Sequence, residues 1–468
     1  MEALHYTQRN DTICALATGG GSAAIAVIRI SGPDTFRVLE DIFCPATKNK
    51  KITEAKGQTL HFGRICQNEQ VIDEVMLSVF RQPHSYTGED VAEISCHGSV
   101  YIQQRIMELL MEKGIRLAEP GEYTMRAFMN GKMDLAQAEA VGDLVASQSQ
   151  SQHQLAMQQM RGGYSDTMKK LRQQLLDFTS LIELELDFSE EDVEFADRTK
   201  FLQLIDEIKT ETHKLIASFK TGNVLKKGIP VAIIGKPNSG KSTLLNTLLN
   251  EERAIVSEIP GTTRDVIEDS IIIDGISFRF IDTAGLRDTN ETVESMGVER
   301  TYNKIEQASI VLYLFDTSRT SIEEIKAEMN EFKAHTDVSQ KRFIILGNKI
   351  DMLERSPKHF SELVDMETIF ISAKRKENLK LVTDSLLKSV DQDKLENDTV
   401  VSSARHHEAL LKAYQSIESV ETGMKQGIPA DLLSIDLRSA LHHIGSITGD
   451  ISTDEILGNI FSRFCIGK

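Results

Sequence analysis

Apolar positions along the chain change their pattern three times. The stretches "AIAVIRISG" (24–32) and "VIDEVMLSVF" (71–80) are apolar over the length of a strand. "GSVYIQQRIMELLMEKG" (98–114) instead places Ile102, Ile106, Leu109 and Leu110 on one helical stripe. Residues 1–119 therefore read as mixed strand and helix. From Gly121 to about Lys220 long helical patterns take over, "MDLAQAEAVGDLVASQSQSQHQLAMQQM" and "MKKLRQQLLDFTSLIELELDF", dominated by Ala, Leu, Gln and Glu. "KTGNVLKKGIP" (220–230) reads as a linker. Short apolar strands then alternate with helices up to about Asp384, the pattern of a parallel sheet with crossover helices. Beyond 385 the helical texture returns in "HHEALLKAYQSIESVETGM". A helical texture interrupted by an α/β block predicts one domain spliced into another, which works where the guest's two ends lie close together. The expected fold is a multidomain α+β and α/β chain, divided as 1–119, 120–222, 223–384 and 385–468.

Composition narrows the class. The 468 residues suffice for about three domains, and 40% hydrophobic with 26% charged residues is ordinary for a globular protein. No apolar run reaches 18 residues, so no membrane span is expected. "MEALHYTQRND" has neither a basic n-region nor an apolar h-region, so no secretion signal is expected. Cys14, Cys44, Cys66, Cys96 and Cys465 form no C-x-x-C spacing. That argues for a reducing, cytoplasmic setting and against a disulfide frame or zinc ribbon, and leaves any metal to oxygen or nitrogen ligands. The net charge of -17 is unlike a protein that grips phosphate backbones. A nucleic-acid role must rest on a local basic patch or a partner.

The strongest chemistry is in "VAIIGKPNSGKST" (231–243). Gly235, Gly240, Lys241 and Ser242 make G-x-x-x-x-G-K-S between a strand-like run and a helical one, the context a phosphate loop requires. Backbone N–H groups at the helix start point at phosphates. Lys241 reaches the β and γ phosphates and Ser242 ligates Mg²⁺, with Asn238, Ser239 and Thr243 completing the loop. "FRFIDTAG" (278–285) places Asp282, Thr283, Ala284 and Gly285 at a strand end, Asp282 to hold the metal through water and Gly285 to meet the γ phosphate. "FIILGNKID" (343–351) ends in N-K-x-D, Asn348, Lys349 and Asp351, and "TIFISAK" (368–374) ends in Ser372, Ala373 and Lys374. The Asp351 carboxylate accepts the ring N–H and exocyclic amine of guanine, an edge adenine lacks, so the nucleotide is GTP. Ras-type enzymes orient water with a Gln after D-x-x-G. Leu286 stands there, so another device is needed. "ATGGGSA" (17–23) is better read as a tight turn than as a second nucleotide loop.

The G block, "GTTRD" (261–265), "DTAGLR" (282–287), "TGEDVAEISCHG" (87–98), "PGEYTMRAFMNGKMDLAQAEA" (120–140) and the terminal "CIGK" resemble the tRNA-modification GTPases of the MnmE (TrmE) family. The resemblance spans nearly the whole chain. It implies an N-terminal folate-binding and dimerisation domain, a discontinuous helical domain and an inserted Ras-like P-loop GTPase domain with a mostly parallel sheet. It also implies a potassium ion in place of an arginine finger. Asn238 matches the potassium-ligating Asn. The loop Ser257, Glu258, Ile259, Pro260, Gly261 and Thr262 matches the potassium loop, with carbonyls of Ser257, Ile259 and Thr262 as ligands. Thr263 matches the Thr that joins Ser242 on Mg²⁺, and Glu294 the Glu that orients the attacking water through a second water.

The same resemblance places a one-carbon derivative of 5,6,7,8-tetrahydrofolate, in the 5-formyl or methylene form, on Arg29, Glu93, Lys132 and Lys468. A carboxylate suits the N–H/amine edge of a pterin and cations suit the glutamate tail. The implied activity is a GTP hydrolase that adds an aminomethyl or carboxymethylaminomethyl group to carbon 5 of the wobble uridine of certain tRNAs. It implies a homodimer that forms a heterotetramer with a flavin-containing partner. The alternative is a GTPase switch in ribosome assembly, which predicts a basic RNA-binding domain that the charge of -17 disfavours.

The tail gives a last expectation. Ser452 and Glu455 have capping-box spacing, so a helix should start at about Thr453, with Ile456, Leu457, Ile460, Phe461 and Phe464 as its stripe. By spacing alone Cys465, four residues after Phe461, extends that stripe as a buried thiol. A prenylation site is a poor reading, because Gly467 is not aliphatic and Lys468 is not a usual last residue. The resemblance instead puts the thiol near the folate pocket, as a catalytic residue of the uridine chemistry.

Overall fold

The computed structural model describes residues 11–47, 51–68, 70–187, 198–251, 269–281, 294–335, 341–353, 367–388 and 400–468. Contacts divide the chain into two compact units, 1–146 with 156–213 and 408–468, and 147–155 with 214–407.

The first unit opens with seven strands: β1 Ile13–Leu16, β2 Ile25–Ser31, β3 Phe43–Pro45, β4 Thr59–Gln67, β5 Gln70–Phe80, β6 Val91–His97 and β7 Arg116–Leu117. They form one sheet in the order β3-β4-β5-β6-β2-β1-β7, antiparallel except where β1 meets β7. Along β5 buried and less buried residues alternate, and Val75, Leu77 and Val79 face the core with Ile28, Ile30, Ala92 and Ile94. The helices Thr35–Ile42 and Val100–Glu112 cover that face with Phe36, Leu39, Ile106 and Leu110. A second apolar cluster joins Met125, Leu135 and Ala138 to Leu457 and Phe461 of the helix Asp454–Phe461. Thr453, not Ser452, caps that helix, its hydroxyl accepting from Ile456 N at 3.3 Å.

One expectation needs correction, and one is refined. The helical pattern over 133–160 is present as two helices, Leu135–Ala146 and Gln150–Met160. Ser149 and Gln152 form a reciprocal cap at the break: Gln152 N donates to Ser149 Oγ, and Ser149 N to Gln152 Oε1, each at 3.3 Å. That is a capping box, satisfying N–H groups a helix start leaves orphaned. The expected linker 220–230 is instead helical through Lys227, the end of the helix Arg198–Lys227. Gly228 stops it at φ 87, where a side chain is strained.

The second unit carries β8 Ile229–Ile234, β9 Ser270–Ile273, β10 Ile276–Phe280, β11 Ile310–Asp316, β12 Arg342–Asn348 and β13 Thr368–Phe370. Their order is β13-β12-β11-β8-β10-β9, all parallel except the β9–β10 hairpin. Every residue of β11 is buried. Its Leu312 and Leu314 enter one apolar cluster and its Val311 and Tyr313 the other, so both faces of the sheet are covered. The mostly parallel sheet expected for the inserted block is present.

Candidate functional site

The phosphate-loop sequence follows β8 and precedes the helix Lys241–Glu251. Three backbone positions give the loop its shape. Gly235 is at φ 145 and an ideal Cβ there would stand 2.0 Å from the Leu314 carbonyl oxygen. Asn238 is left-handed at φ 62. Gly240 is at φ 103, and a Cβ would stand 2.3 Å from Asn348 Nδ2. The loop is thus a close-fitting backbone cradle that side chains would fill, ending in helical N–H groups with no intrahelical partner. Lys241 Nζ donates to the carbonyls of Gly235 at 2.9 Å and Lys236 at 3.0 Å, which curls it over the loop. Ser242 and Thr243 lie exposed in the first helical turn.

The second and third motifs arrive at the same sheet edge. Asn348 closes β12; its Nδ2 donates to Ser239 O at 2.8 Å, and its Oδ1 accepts from Ala373 N at 3.0 Å. One side chain therefore joins all three loops. Lys349, left-handed at φ 68, donates from Nζ to Asn238 O at 2.7 Å. Asp351 Oδ1 accepts from Ser372 Oγ at 2.7 Å, and Ser372 Oγ in turn accepts from Arg375 N at 3.1 Å. Lys374 is exposed beside them. Loops at the carboxyl ends of parallel strands are where open α/β sheets bind ligands.

Ser257, Glu258, Ile259, Pro260, Gly261, Thr262, Thr263, Asp282, Thr283, Ala284 and Gly285 lie outside the described residues. Glu294 begins the helix Glu294–Gln307, but its side chain lies outside them too. Of the expected metal ligands, Ser242 and Asn238 are described.

Sequence reasoning missed two groups at this site. Asp316, buried at the end of β11, accepts Lys349 Nζ on Oδ2 at 2.7 Å. Burial acts to raise its carboxyl, but hydrogen bonds from Lys349 and Ser318 outweigh that and hold it below the usual value. Lys236, in the loop, reaches Glu324 at 2.6 Å and Glu328 at 3.0 Å on the helix Ile322–His335. Tyr313 OH donates to Glu328 at 2.7 Å. The available signal was a charged residue next to a motif or at an apolar strand's end.

A separate cluster forms in the first unit. Arg29 and Glu93 are cross-strand partners in register on β2 and β6. Arg29 donates to Glu93 Oε1 from Nε at 2.9 Å and from Nη2 at 2.8 Å. The guanidinium carbon stands 5.5 Å from the ring centres of both Tyr86 and Tyr123. Burial pushes both phenols above their usual values. Arg29 Nη1 also donates to Gly467 O at 3.3 Å, and Tyr123 N to Lys468 O at 3.2 Å. Gly467 sits at φ 97 with room for no side chain, since a Cβ would stand 2.5 Å from Leu16 O. Lys132 lies on a neighbouring loop and donates to Pro83 O at 2.8 Å; Pro83 and Tyr86 share the 81–90 segment. Cys465 is exposed, so the spacing-based expectation of a buried thiol fails. The helix ends at Phe461, and past it the four-residue period no longer applies.

A family profile described as the MnmE helical domain matches residues 135–465, and one described as the GTP-binding protein TrmE N-terminus matches 12–132. A Flavobacterium psychrophilum protein called tRNA modification GTPase MnmE is 53% identical over 460 residues, 98% of this chain and 99% of that one. Cytophaga hutchinsonii has a protein of the same name that is 52% identical over the full length of both chains. The Bacteroides fragilis protein so named is 51% identical over 98% and 99%.

Proposed function

Because the chain belongs to the MnmE family of tRNA modification GTPases, we propose that it binds and hydrolyses GTP in the service of tRNA modification. The carrying observation is the Asn348 side chain, which joins the phosphate loop at Ser239 to the loop of Ala373, while Asp351 accepts separately from Ser372. That arrangement offers a backbone cradle for phosphates at one end and a carboxylate for the guanine edge at the other. Leu286 leaves water unaided, so a monovalent cation offsetting charge on the phosphates is the device we assign, with Asn238 as one ligand, alongside Mg²⁺ on Ser242. The test is GTP hydrolysis in potassium against sodium at equal ionic strength. Faster turnover in potassium supports the reading, and equal rates remove the cation.

The finer reading concerns the first unit. The Arg29–Glu93 pair, flanked by Tyr86 and Tyr123 and touched by the tail, presents charge and aromatic faces suited to a reduced folate. Such a folate, when bound, supplies one carbon. Arg29 and Glu93 orient it, Lys132 and Lys468 meet its anionic tail, and Cys465 lies exposed nearby in sequence for the uridine step. The product we assign is a wobble uridine carrying an aminomethyl or carboxymethylaminomethyl group at carbon 5. The assembly we assign is a cytoplasmic homodimer working with a flavin-containing partner. Two measurements test this: a shift in melting temperature on adding 5-formyltetrahydrofolate, and mass spectrometry of tRNA nucleosides from cells lacking the protein. Normal wobble uridines in those cells would overturn it and favour a ribosome-assembly switch.

A further inference from the structure

The end of β11 supplies a residue that none of the nucleotide motifs contains. Asp316 is 7% exposed and spends both carboxylate oxygens on defined partners. Oδ1 accepts Ser318 N at 3.0 Å and Ser318 Oγ at 2.6 Å, while Oδ2 accepts Lys349 Nζ at 2.7 Å. Lys349 Nζ also donates to Asn238 O at 2.7 Å.

Asn238 and Lys349 are both non-glycine residues in the left-handed region, at φ 62 and φ 68. Such conformations persist where the surroundings over-determine them. For Asn238 the restraint is the hydrogen bond its carbonyl accepts. Lysine is a poor restraint alone, because its ammonium sits on a flexible four-carbon stem. A second, buried and charged acceptor removes that freedom. Asp316 is that acceptor, and it is itself fixed by the turn at Ser318. The β11 edge is tied to the same loop by Thr317, whose N and Oγ1 donate to Asn348 O at 3.0 and 2.8 Å. Consecutive residues Asn348 and Lys349 thus hold the consecutive carbonyls of Ser239 and Asn238.

We propose that Asp316 is a positioning residue for GTP hydrolysis: it orients Lys349, which pins the Asn238 carbonyl and so sets the phosphate loop in register with the base-recognition loop. This rests on the reading of the site as a GTPase. Asp316 acts on loop shape at the phosphates, whereas Asp351 faces the base and is fixed separately by Ser372. The two carboxylates therefore have separable effects.

The experiment is a double-mutant cycle in the full-length chain with Asp316→Ala, Asp316→Asn, Lys349→Met and Asp316→Ala/Lys349→Met. Steady-state hydrolysis, GTP-over-XTP selectivity and melting temperature are read for each. Asp316→Ala should lower kcat by ~10- to 100-fold, the scale of small misplacements at a reacting centre, with KM little changed and guanine selectivity intact. Asp316→Asn keeps an oxygen for Lys349 but not the charge, so it should fall between, and it carries the test should the alanine variant not fold. Asp316→Ala should add nothing once Lys349 is Met. Wild-type kcat in Asp316→Ala, equal losses in both backgrounds, or lost guanine selectivity overturns the proposal while leaving the GTPase reading intact. A wild-type chain that hydrolyses no GTP overturns both.

Discussion

Asn348 Nδ2 donates to the Ser239 carbonyl at 2.8 Å, and with Lys349 Nζ on the Asn238 carbonyl at 2.7 Å this contact ties the N-K-x-D loop to the phosphate loop. Asn348 and Ser239 are buried, at 3% and 2% exposed. Asn348→Ala strands that carbonyl and the Ala373 N–H, and an unpaired buried group costs about 1–3 kcal/mol. Nucleotide affinity should fall about 10- to 100-fold, measured by titration with a fluorescent GDP. Unchanged affinity would show that the loops hold without it.

Asp351→Asn exchanges an acceptor for a mixed donor–acceptor edge. GTP binding should weaken strongly and xanthine nucleotides gain in relative affinity. Competition of XTP against GTP for hydrolysis checks this, and a variant with native GTP affinity would place Asp351 outside the base site.

In the first unit, Glu122 is 1% exposed and pairs with Arg126 at 2.9 Å and Arg116 at 2.7 Å. Burial acts to raise its carboxyl, but the hydrogen bond from Arg116, followed by further contacts that include Arg126, holds it below the usual 4.5. A depressed carboxyl contributes stability that is complete above its unfolded value and is lost as pH falls through its folded value. Glu122→Gln leaves Arg126, 5% exposed, short of the most buried of its three carboxylate partners. Arg126 keeps Asp11 at 2.8 Å and Glu89 at 3.3 Å, so the loss is that of a charged hydrogen bond, about 1.5–3 kcal/mol. Urea denaturation at pH 7 should show that loss, and stability should fall less steeply below pH 4.5 than in the wild type. Identical acid limbs in the two proteins would contradict the assignment.

Cys465 is exposed, so Cys465→Ser should change stability by no more than about 0.5 kcal/mol. GTP hydrolysis should persist while tRNA modification in cells is crippled. Normal modification by this variant would leave the thiol without a chemical role.

What the sequence disclosed and what it hid divide by range. The phosphate loop was legible because its glycines, Lys241 and Ser242 act within eight consecutive residues, flanked by an apolar strand and a helix. N-K-x-D and S-A-K were legible for the same local reason, and the parallel sheet followed from the alternation of elements. Asp316 was not, because a lone Asp after "VLYLF" has no spacing to mark it. Its meaning appears only when β11 and β12 pair in register, Asp316 beside Asn348. The break at Ser149 hid inside a helix-favouring composition, where a four-residue capping box outweighed propensity. Arg29 and Glu93 are ordinary surface charges by sequence. Only the register of β2 on β6, with two tyrosines and the tail folded against them, turns them into a cluster.

The contact between Arg29 and Gly467 spans 438 positions of the chain. At a synthesis rate of ~5–20 residues per second, Arg29 waits about 20–90 s for its last neighbour. The seven-stranded sheet can form while the inserted unit is still being made, but the Arg29 cluster cannot. The Arg29 cluster is therefore the late-forming part of the first unit, its contact with Gly467 made only after the inserted unit has been synthesised.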